Sequence, residues 1–565
     1  MHYSELKQAR EELTGPGGQF EIVEAAVLGN RIRTYKNAPP SVREFWLSTA
    51  QFADRPYLIY GDERLSYADA HRQVNAIAAW LADQGIKPGD RVAIAMRNYP
   101  EWLLAYWACV ATGIAVVGMN AWWTSDEMAY ALNDSQPRAI ILDAERLERL
   151  RGCAGIDPAM QLVGVRLDDC PADVTPWSAV IGQGGAMPQV AVDPDSDACI
   201  FYTSGTTGHP KGAQLTHRGC VANLMNMLYA GASSALATER ATGVAPPAEP
   251  PIPVLLVTTP LFHVTANNCG AYATTAVGGT LVLMYRWDAG EALRLIERER
   301  ITSMSGVPVM AREVINHPDF ATRDTSSLAS LAGGGAQVPP DLVLKIEERV
   351  TSARPSTGYG MTETCGIITS IAGDFFVDKP DSAGPYMPNF EAKCVDDDGR
   401  AVPQGQIGEL WVKGSSVIKG YINRPDATAD SITDGWLHTG DVARIDENGF
   451  IFIVDRKKDM VLRGGENVYC AEVEAAIYRH PAVAECCVFG VPDERLGEDV
   501  GVAVVLKPGE TLTADELRAD CQRHIAKHKA PRHIWFMTEA LPRNASGKFL
   551  KRELRDRLAG EVVAA

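Results

Sequence analysis

Residues Tyr202 to Gly212 read YTSGTTGHPKG, which places three hydroxyls (Ser204, Thr206, Thr207), two glycines (Gly205, Gly208) and one cation (Lys211) within eight positions. The segment leaves the apolar pair Ile200-Phe201 through Thr203, so it reads as a loop leaving a strand. Glycine lets backbone N–H groups turn inward, the hydroxyls donate further hydrogen bonds, and the lysine adds charge, a combination suited to a polyphosphate. It is not the Walker A loop: the G-K-[ST] ending is absent and Pro210 precedes Lys211. A flexible Gly/Thr surface turn is the other reading of the loop alone.

Four more segments carry chemistry: STGYGMTE (Ser356 to Glu363), HTGD (His438 to Asp441), DRKKDMVLRGGENVY (Asp455 to Tyr469) and LPRNASGK (Leu541 to Lys548). Tyr359, between Gly358 and Gly360, offers a flat face for adenine; Met361 is an apolar neighbour and Thr362 supplies a hydroxyl. Glu363 is a hard oxygen ligand of the kind Mg²⁺ takes. Asp441 can accept from two hydroxyls at once. Lys548 ends an arm of Asn544, Ala545, Ser546 and Gly547. A fixed cation on such an arm can stabilise negative charge gathering at a reacting phosphate. Taken singly, these residues are also an aromatic in a glycine-rich turn, a turn aspartate and a solvated lysine in a basic tail with Lys551, Arg552 and Arg555.

In this order, the five segments resemble the signatures of the adenylate-forming superfamily: acyl-CoA synthetases, the adenylation domains of peptide synthetases, and beetle luciferases. The resemblance runs from about residue 40 to 555. It implies that Thr203 to Gly208 and Lys211 hold ATP phosphates, that Tyr359 stacks on adenine, and that Thr362 lies near the α-phosphate. It implies Glu363 as the Mg²⁺ ligand, Asp441 and Arg456 on the ribose, and Lys548 as the catalytic cation. It further implies a lid that turns about Lys458, after which the turn Arg463-Gly464-Gly465 lines a coenzyme A tunnel. The expected reaction is carboxylate plus ATP to acyl-AMP and pyrophosphate, then transfer of the acyl group to coenzyme A.

His263, in PLFHVTANN, is read as a wall of the acyl pocket, because an ionised carboxylate needs no base. Adenylation domains that take amino acids carry an Asp beside the Phe here. With His in that place, a substrate ammonium would be buried without its partner. Phe262, Val264 and Met361 suit an aliphatic chain, so a fatty acid is the first expectation. An aryl acid of the coumarate or benzoate kind is the alternative, as is an enzyme loading a separate carrier protein. The chain ends 17 residues after Lys548, with no room for a fused carrier domain. A non-catalytic nucleotide-binding module is the rival of another class; the filled charged positions weigh against it.

The elements that must position these residues follow from periodicity. Ser66 and Asp69 read as a helix cap, Val74, Ile77, Ala78 and Leu81 recur at helical spacing, and Gly85 ends the helix. Val92 to Ala95 then reads as a buried strand. This alternation continues to about residue 370 and predicts α/β layers with mainly parallel strands. From Ala383 to Val454, short apolar runs between Gly and Asp-Gly turns predict antiparallel β structure, followed by a small α+β lid. The expected division is 1–456 and 457–565, at the charged run DRKKD. Trp102 to Ser125 lacks charge but contains Gly113, Gly118 and Asn120, so it reads as a buried helix and strand, with Asn98 and Glu101 as its cap. Ser233 to Pro253 reads as an exposed loop.

The 565 residues carry a formal charge of −17, which disfavours nucleic acid and anionic membranes as partners. Twelve cysteines without zinc spacing, and a charged N-terminus unlike a signal peptide, point to a reduced, cytoplasmic protein without integral membrane association. A homodimer is left open.

Overall fold

The computed structural model describes residues 3–203, 210–245, 247, 251–335, 338–350, 352–464, 466–544 and 547–563. Its architecture is the expected one, a large α/β region with a β-rich part and a small α+β region at the C-terminal end. Among the described residues the strands form four multi-stranded sheets and an N-terminal hairpin, Ile22–Val27 with Asn30–Tyr35.

The first large sheet has Arg91–Ala95 at its centre, parallel to Ala115–Gly118 and Ala139–Asp143. Asp197–Thr203 lies parallel to Ala115–Gly118 and turns back antiparallel through Lys211–Thr216. The second runs Gly366–Ala372, Arg354–Met361, Ser330–Gly334, Ser303–Gly306, Val254–Val257, Thr280–Leu283, Pro56–Tyr60, Glu63–Ser66. Its inner strands are parallel, so their carboxyl ends open on one side, where α/β sheets bind ligands. Apolar helices seal the faces. Pro100–Ala111 is buried nearly all round, with Trp102, Tyr106 and Trp107 inaccessible to solvent. Each such side chain contributes roughly 1.5–3 kcal/mol of burial.

The β-rich part is antiparallel: Phe390–Val395, Gly408–Gly414, Trp436–Ile445 and Phe450–Arg456. The last sheet pairs Val461–Arg463, Gly497–Leu506, Val483–Asp493 and His533–Met537 under the helices Cys470–Ile477 and Lys551–Val563. The Ser66–Asp69 capping box forms as expected on the helix Tyr67–Asp83, and all twelve cysteines are free.

Two local expectations are corrected. Asn98 does not cap the helix: Tyr99 does, without a side-chain bond, and Pro100 supplies the first turn. The Asn98 amide instead donates to Thr259 O at 2.9 Å and accepts from Leu261 N at 2.9 Å, tying the two large sheets together just before Phe262 and His263. The first half of Ser233 to Pro253 is not loop but the end of the 26-residue helix His217–Thr242. Ala237 of that stretch is buried in a cluster with Leu6 and Ala9 of the helix Tyr3–Thr14, so packing overrides the weak periodicity. No helix among the described residues is long and apolar enough to cross a membrane.

Candidate active site

The carboxyl ends of the second sheet carry the GYGMTE segment. Strand Arg354–Met361 pairs antiparallel with Gly366–Ala372, and the register slips between Tyr359 and Gly360. A Cβ on Gly360 would lie 1.9 Å from Gly366 O, so only glycine lets the two strands approach there. The slip ends in the short 3₁₀ turn Thr362–Thr364, with Thr364 Oγ1 accepting from Met361 N at 3.2 Å. This turn presents Thr362 and Glu363.

Tyr359 donates its hydroxyl to Asp441 Oδ2 at 2.6 Å, and Arg456 Nε lies 3.2 Å from Asp441 Oδ1. Asp441 and Arg456 face each other in register across Trp436–Ile445 and Phe450–Arg456. Three residues separated by nearly a hundred positions thus form one cluster around a buried carboxylate. Burial and the Asp441 charge hold the Tyr359 phenol well above its usual range, so it remains a donor.

Glu363 accepts from the Tyr421 hydroxyl at 2.8 Å, and Lys211 Nζ sits 4.3 Å from the centre of the Tyr421 ring. The pairing of Lys211–Thr216 with Gly420–Tyr421 fixes this contact. Thr203 and Lys211 face each other at the open end of their strand pair. Ser204, Gly205, Thr206, Thr207 and Gly208 lie outside the described residues.

Lys548 reaches this cluster from the C-terminal end of the chain. Arg543 and Phe549 bridge, Asn544 N donates to Lys548 O at 2.8 Å, and Lys548 N donates to Asn544 Oδ1 at 3.0 Å. Arg543 clamps the loop by donating to Gly547 O at 2.9 Å and to Glu485 at 2.8 Å. A Cβ on Gly335 would lie 3.8 Å from Lys548 Cε, and one on Gly547 would lie 2.7 Å from Val307 Cγ2. The arm is therefore docked against the ends of strands Ser303–Gly306 and Ser330–Gly334.

The charges crowd. Lys548 is lowered to about 8, first by burial, then by Arg456 and Lys458, against the opposing pull of Asp441 and Glu363. Lys548 lies among packed groups yet keeps part of its surface in water, which screens part of this effect. Lys458 is likewise lowered, by burial and Arg456. Four cations (Lys211, Arg456, Lys458, Lys548) against three carboxylates (Glu363, Asp441, Asp459) leave a local positive excess in a chain of charge −17. Such an excess suits a polyanion.

His263 is half-buried beside Phe262, with ring centres 4.7 Å apart, and is lowered to about 4 by burial and by the Lys548 charge. A neutral ring fits a pocket wall. His263 stands two residues before the π-helical turn Thr265–Ala271, which Val264 caps, an uncommon geometry that recurs at functional sites.

Gly464 is not brought to this cluster. It turns at φ 60° in the hairpin Val461–Arg463/Glu466–Val468, and its amide donates to Leu496 O at 2.8 Å, within the last sheet. Gly465 lies outside the described residues. Among the described residues no three His, Cys, Asp or Glu side chains converge as a metal site. A lone Glu363 fits Mg²⁺, which takes one or two carboxylates and completes its shell with phosphate and water.

Sequence reasoning missed Tyr421, which links Lys211 to Glu363, and gave no role to Arg543 inside LPRNASGK. Tyr421 stands between glycine and isoleucine, outside any motif, in the two-residue strand Gly420–Tyr421, and only the pairing of that strand reveals its use.

Comparison with known proteins finds a family and relatives that span most of the chain. Residues 45–422 match the family described as AMP-binding enzyme, and residues 472–548 match AMP-binding enzyme C-terminal domain. A feruloyl-CoA synthase of an Amycolatopsis species is 38% identical over 501 residues, 88% of this chain and 95% of that protein. A long-chain-fatty-acid–CoA ligase of Salmonella typhi is 34% identical over 550 residues, 92% of this chain and 95% of that protein. The o-succinylbenzoate CoA synthetase of Bacillus subtilis, solved with its acyl-adenylate intermediate, superposes with a TM-score of 0.74 at 29% identity, covering 92% of this chain and 99% of that one.

Proposed function

The chain belongs to the AMP-binding enzyme family, and from that premise we propose how its residues act as an ATP-dependent, AMP-forming acid–CoA ligase. The observation that carries the reading is the docking of Lys548 against the ends of the second sheet, within electrostatic reach of Glu363, Asp441 and Arg456.

Tyr359 and Met361 form the adenine wall. Asp441 and Arg456 take the ribose hydroxyls, with the Tyr359 phenol holding the Asp441 carboxylate in place. Lys211 and the loop from Thr203 to Gly208 receive the phosphates. Glu363 would hold Mg²⁺, which when bound neutralises phosphate charge. Thr362 donates toward the α-phosphate. The acid lies along His263, Phe262 and Val264, and its carboxylate attacks the α-phosphorus. Lys548 stabilises the charge gathered there, and pyrophosphate leaves. Neutral His263 excludes water without adding a competing charge.

The docking of Lys548 supports reading this arrangement as the adenylation half of the cycle. For the second half, the region after Arg456 turns about Lys458, withdraws Lys548 and brings Gly464 and Gly465 to the thiol of coenzyme A. The domain boundary belongs at this pivot, between 456 and 457. Lys457, between that boundary and Lys458, is tied to the large region, donating from N to Gly440 O at 2.9 Å and pairing with Glu409 at 3.3 Å.

The acid is fatty or aryl. Apolar Phe262, Val264 and Met361 favour a fatty chain, while the likeness to a feruloyl-CoA synthase supports the aryl reading. A panel from acetate to palmitate with benzoate, coumarate and ferulate, assayed for CoA-dependent AMP release, separates them. AMP release on an acid of either class with formation of its CoA thioester is expected. Adenylate formation without any thioester would overturn the ligase reading.

A further inference from the structure

Arg97 follows the strand Arg91–Ala95, at the carboxyl end of the first sheet. Its guanidinium carbon lies 3.9 Å from the centre of the Trp122 ring and 5.2 Å from that of Tyr285. Trp122 and Tyr285 follow other strands at the same open side of the sheets. The Arg97 side chain forms no ion pair or hydrogen bond with any described residue, and its Nε is buried without a partner. Neighbouring Arg146 is satisfied: it is paired with Asp143 at 3.0 Å and with Glu145 at 2.8 Å. Burial and the Arg146 charge work against the Arg97 cation, opposed by the more weakly acting Tyr285, Glu145 and Asp143, the two carboxylates being already paired with Arg146. A guanidinium without a polar partner, set over the Trp122 ring and near Tyr285 in a strongly acidic chain, is placed for an anion that the protein itself does not supply.

Its position limits which anion. Trp122, 41% exposed, packs edge-on against Phe262 at 5.6 Å, and Phe262 packs on His263 at 4.7 Å. Arg97 is thus joined to the reacting centre by three rings. Yet the charges acting on it are Arg146, Tyr285, Glu145 and Asp143, none of them from the nucleotide cluster. The phosphates of ATP have Lys211 and Lys548. Coenzyme A carries its own phosphates at the far end of a long neutral arm, so its thiol can meet the acyl-adenylate only if those phosphates rest away from the reacting atoms.

We propose that Arg97, stacked on Trp122, is a phosphate anchor for coenzyme A at the rim of the active site, with the fork free to take two phosphate oxygens. This rests on the acid–CoA ligase reading. The contact with the Trp122 ring restricts the guanidinium before binding, so less side-chain entropy is lost when an anion arrives.

The test compares coenzyme A with pantetheine, which bears the thiol and arm but no phosphate, in wild type, Arg97→Ala, Arg97→Gln and Arg97→Lys. ATP–pyrophosphate exchange without any thiol reports folding and adenylation. Retained exchange is expected, with KM for coenzyme A raised roughly tenfold to a hundredfold, the worth of one charged hydrogen-bonded contact. KM for pantetheine should stay unchanged, and Arg97→Lys should recover part of the loss. Equal loss for coenzyme A and pantetheine would reduce Arg97 to a support for Trp122 and overturn the anchor. A raised KM for the acid with coenzyme A unaffected would place the anion on the acid, and also overturn it. Should Arg97→Ala lose exchange through misfolding, Arg97→Gln keeps the stem over Trp122 and decides. A wild-type enzyme that exchanges pyrophosphate but makes no thioester would instead sink the ligase reading.

Discussion

Gly547→Ala isolates the docking of the Lys548 arm. Gly547 has φ 79°, in the left-handed region, where a side chain costs roughly 1–2 kcal/mol. That strain belongs to the arm in either lid position. The added Cβ would also stand 2.7 Å from Val307 Cγ2, a buried side chain at the end of strand Ser303–Gly306. This second cost arises only when the arm is docked. Overpacking of this kind costs about 1–3 kcal/mol, a loss of roughly 5- to 150-fold in rate. The assay is ATP–pyrophosphate exchange for adenylation, beside acyl-CoA formation from supplied acyl-AMP. Exchange should fall within that range while the second half-reaction holds near wild type. Val307→Ala removes the obstructing methyl, so the double variant should recover most of the docking loss. If Val307→Ala restores nothing, or both half-reactions fall together, the docked arm is not what limits adenylation.

Two further outcomes follow from the site. Lys548 acts as the ammonium and is lowered to about 8, so kcat/KM for ATP in the exchange reaction should be level below that pH and decline as pH rises through it. Bound phosphate favours the ammonium, so the decline in kcat should come at higher pH; coincident limbs would argue against contact with phosphate. Glu363→Gln keeps the Tyr421 bond but removes the charge, so adenylation should need more Mg²⁺, and an unchanged Mg²⁺ titration would remove Glu363 as its ligand.

The α/β layering, the β-rich part and the α+β end are legible in the sequence because each rests on local periodicity and turn residues. The Ser66–Asp69 box is local in the same way. What escaped depends on distant partners. The spacing of Asn98 and Glu101 is that of a cap, but Asn98 is spent bridging to Thr259 and Leu261. Ala237 is helical because Leu6 and Ala9 cover it. The motifs mark Tyr359, Asp441 and Arg456, but that they meet follows from the register of two strands and a hydroxyl contact across the site. Tyr421 and Arg97 lie outside any motif, and their use appears only when neighbouring strands bring Lys211, Glu363 and Trp122 to them.

The central claim is that Lys548 stabilises the adenylation step and stands aside for thioester formation. Lys548→Ala, assayed in both half-reactions, tests it directly. ATP–pyrophosphate exchange should fall by roughly 10² or more, as when one charge-stabilising donor is removed, while acyl-CoA formation from supplied acyl-AMP changes far less. Equal losses in the two half-reactions, or intact exchange, would contradict the account.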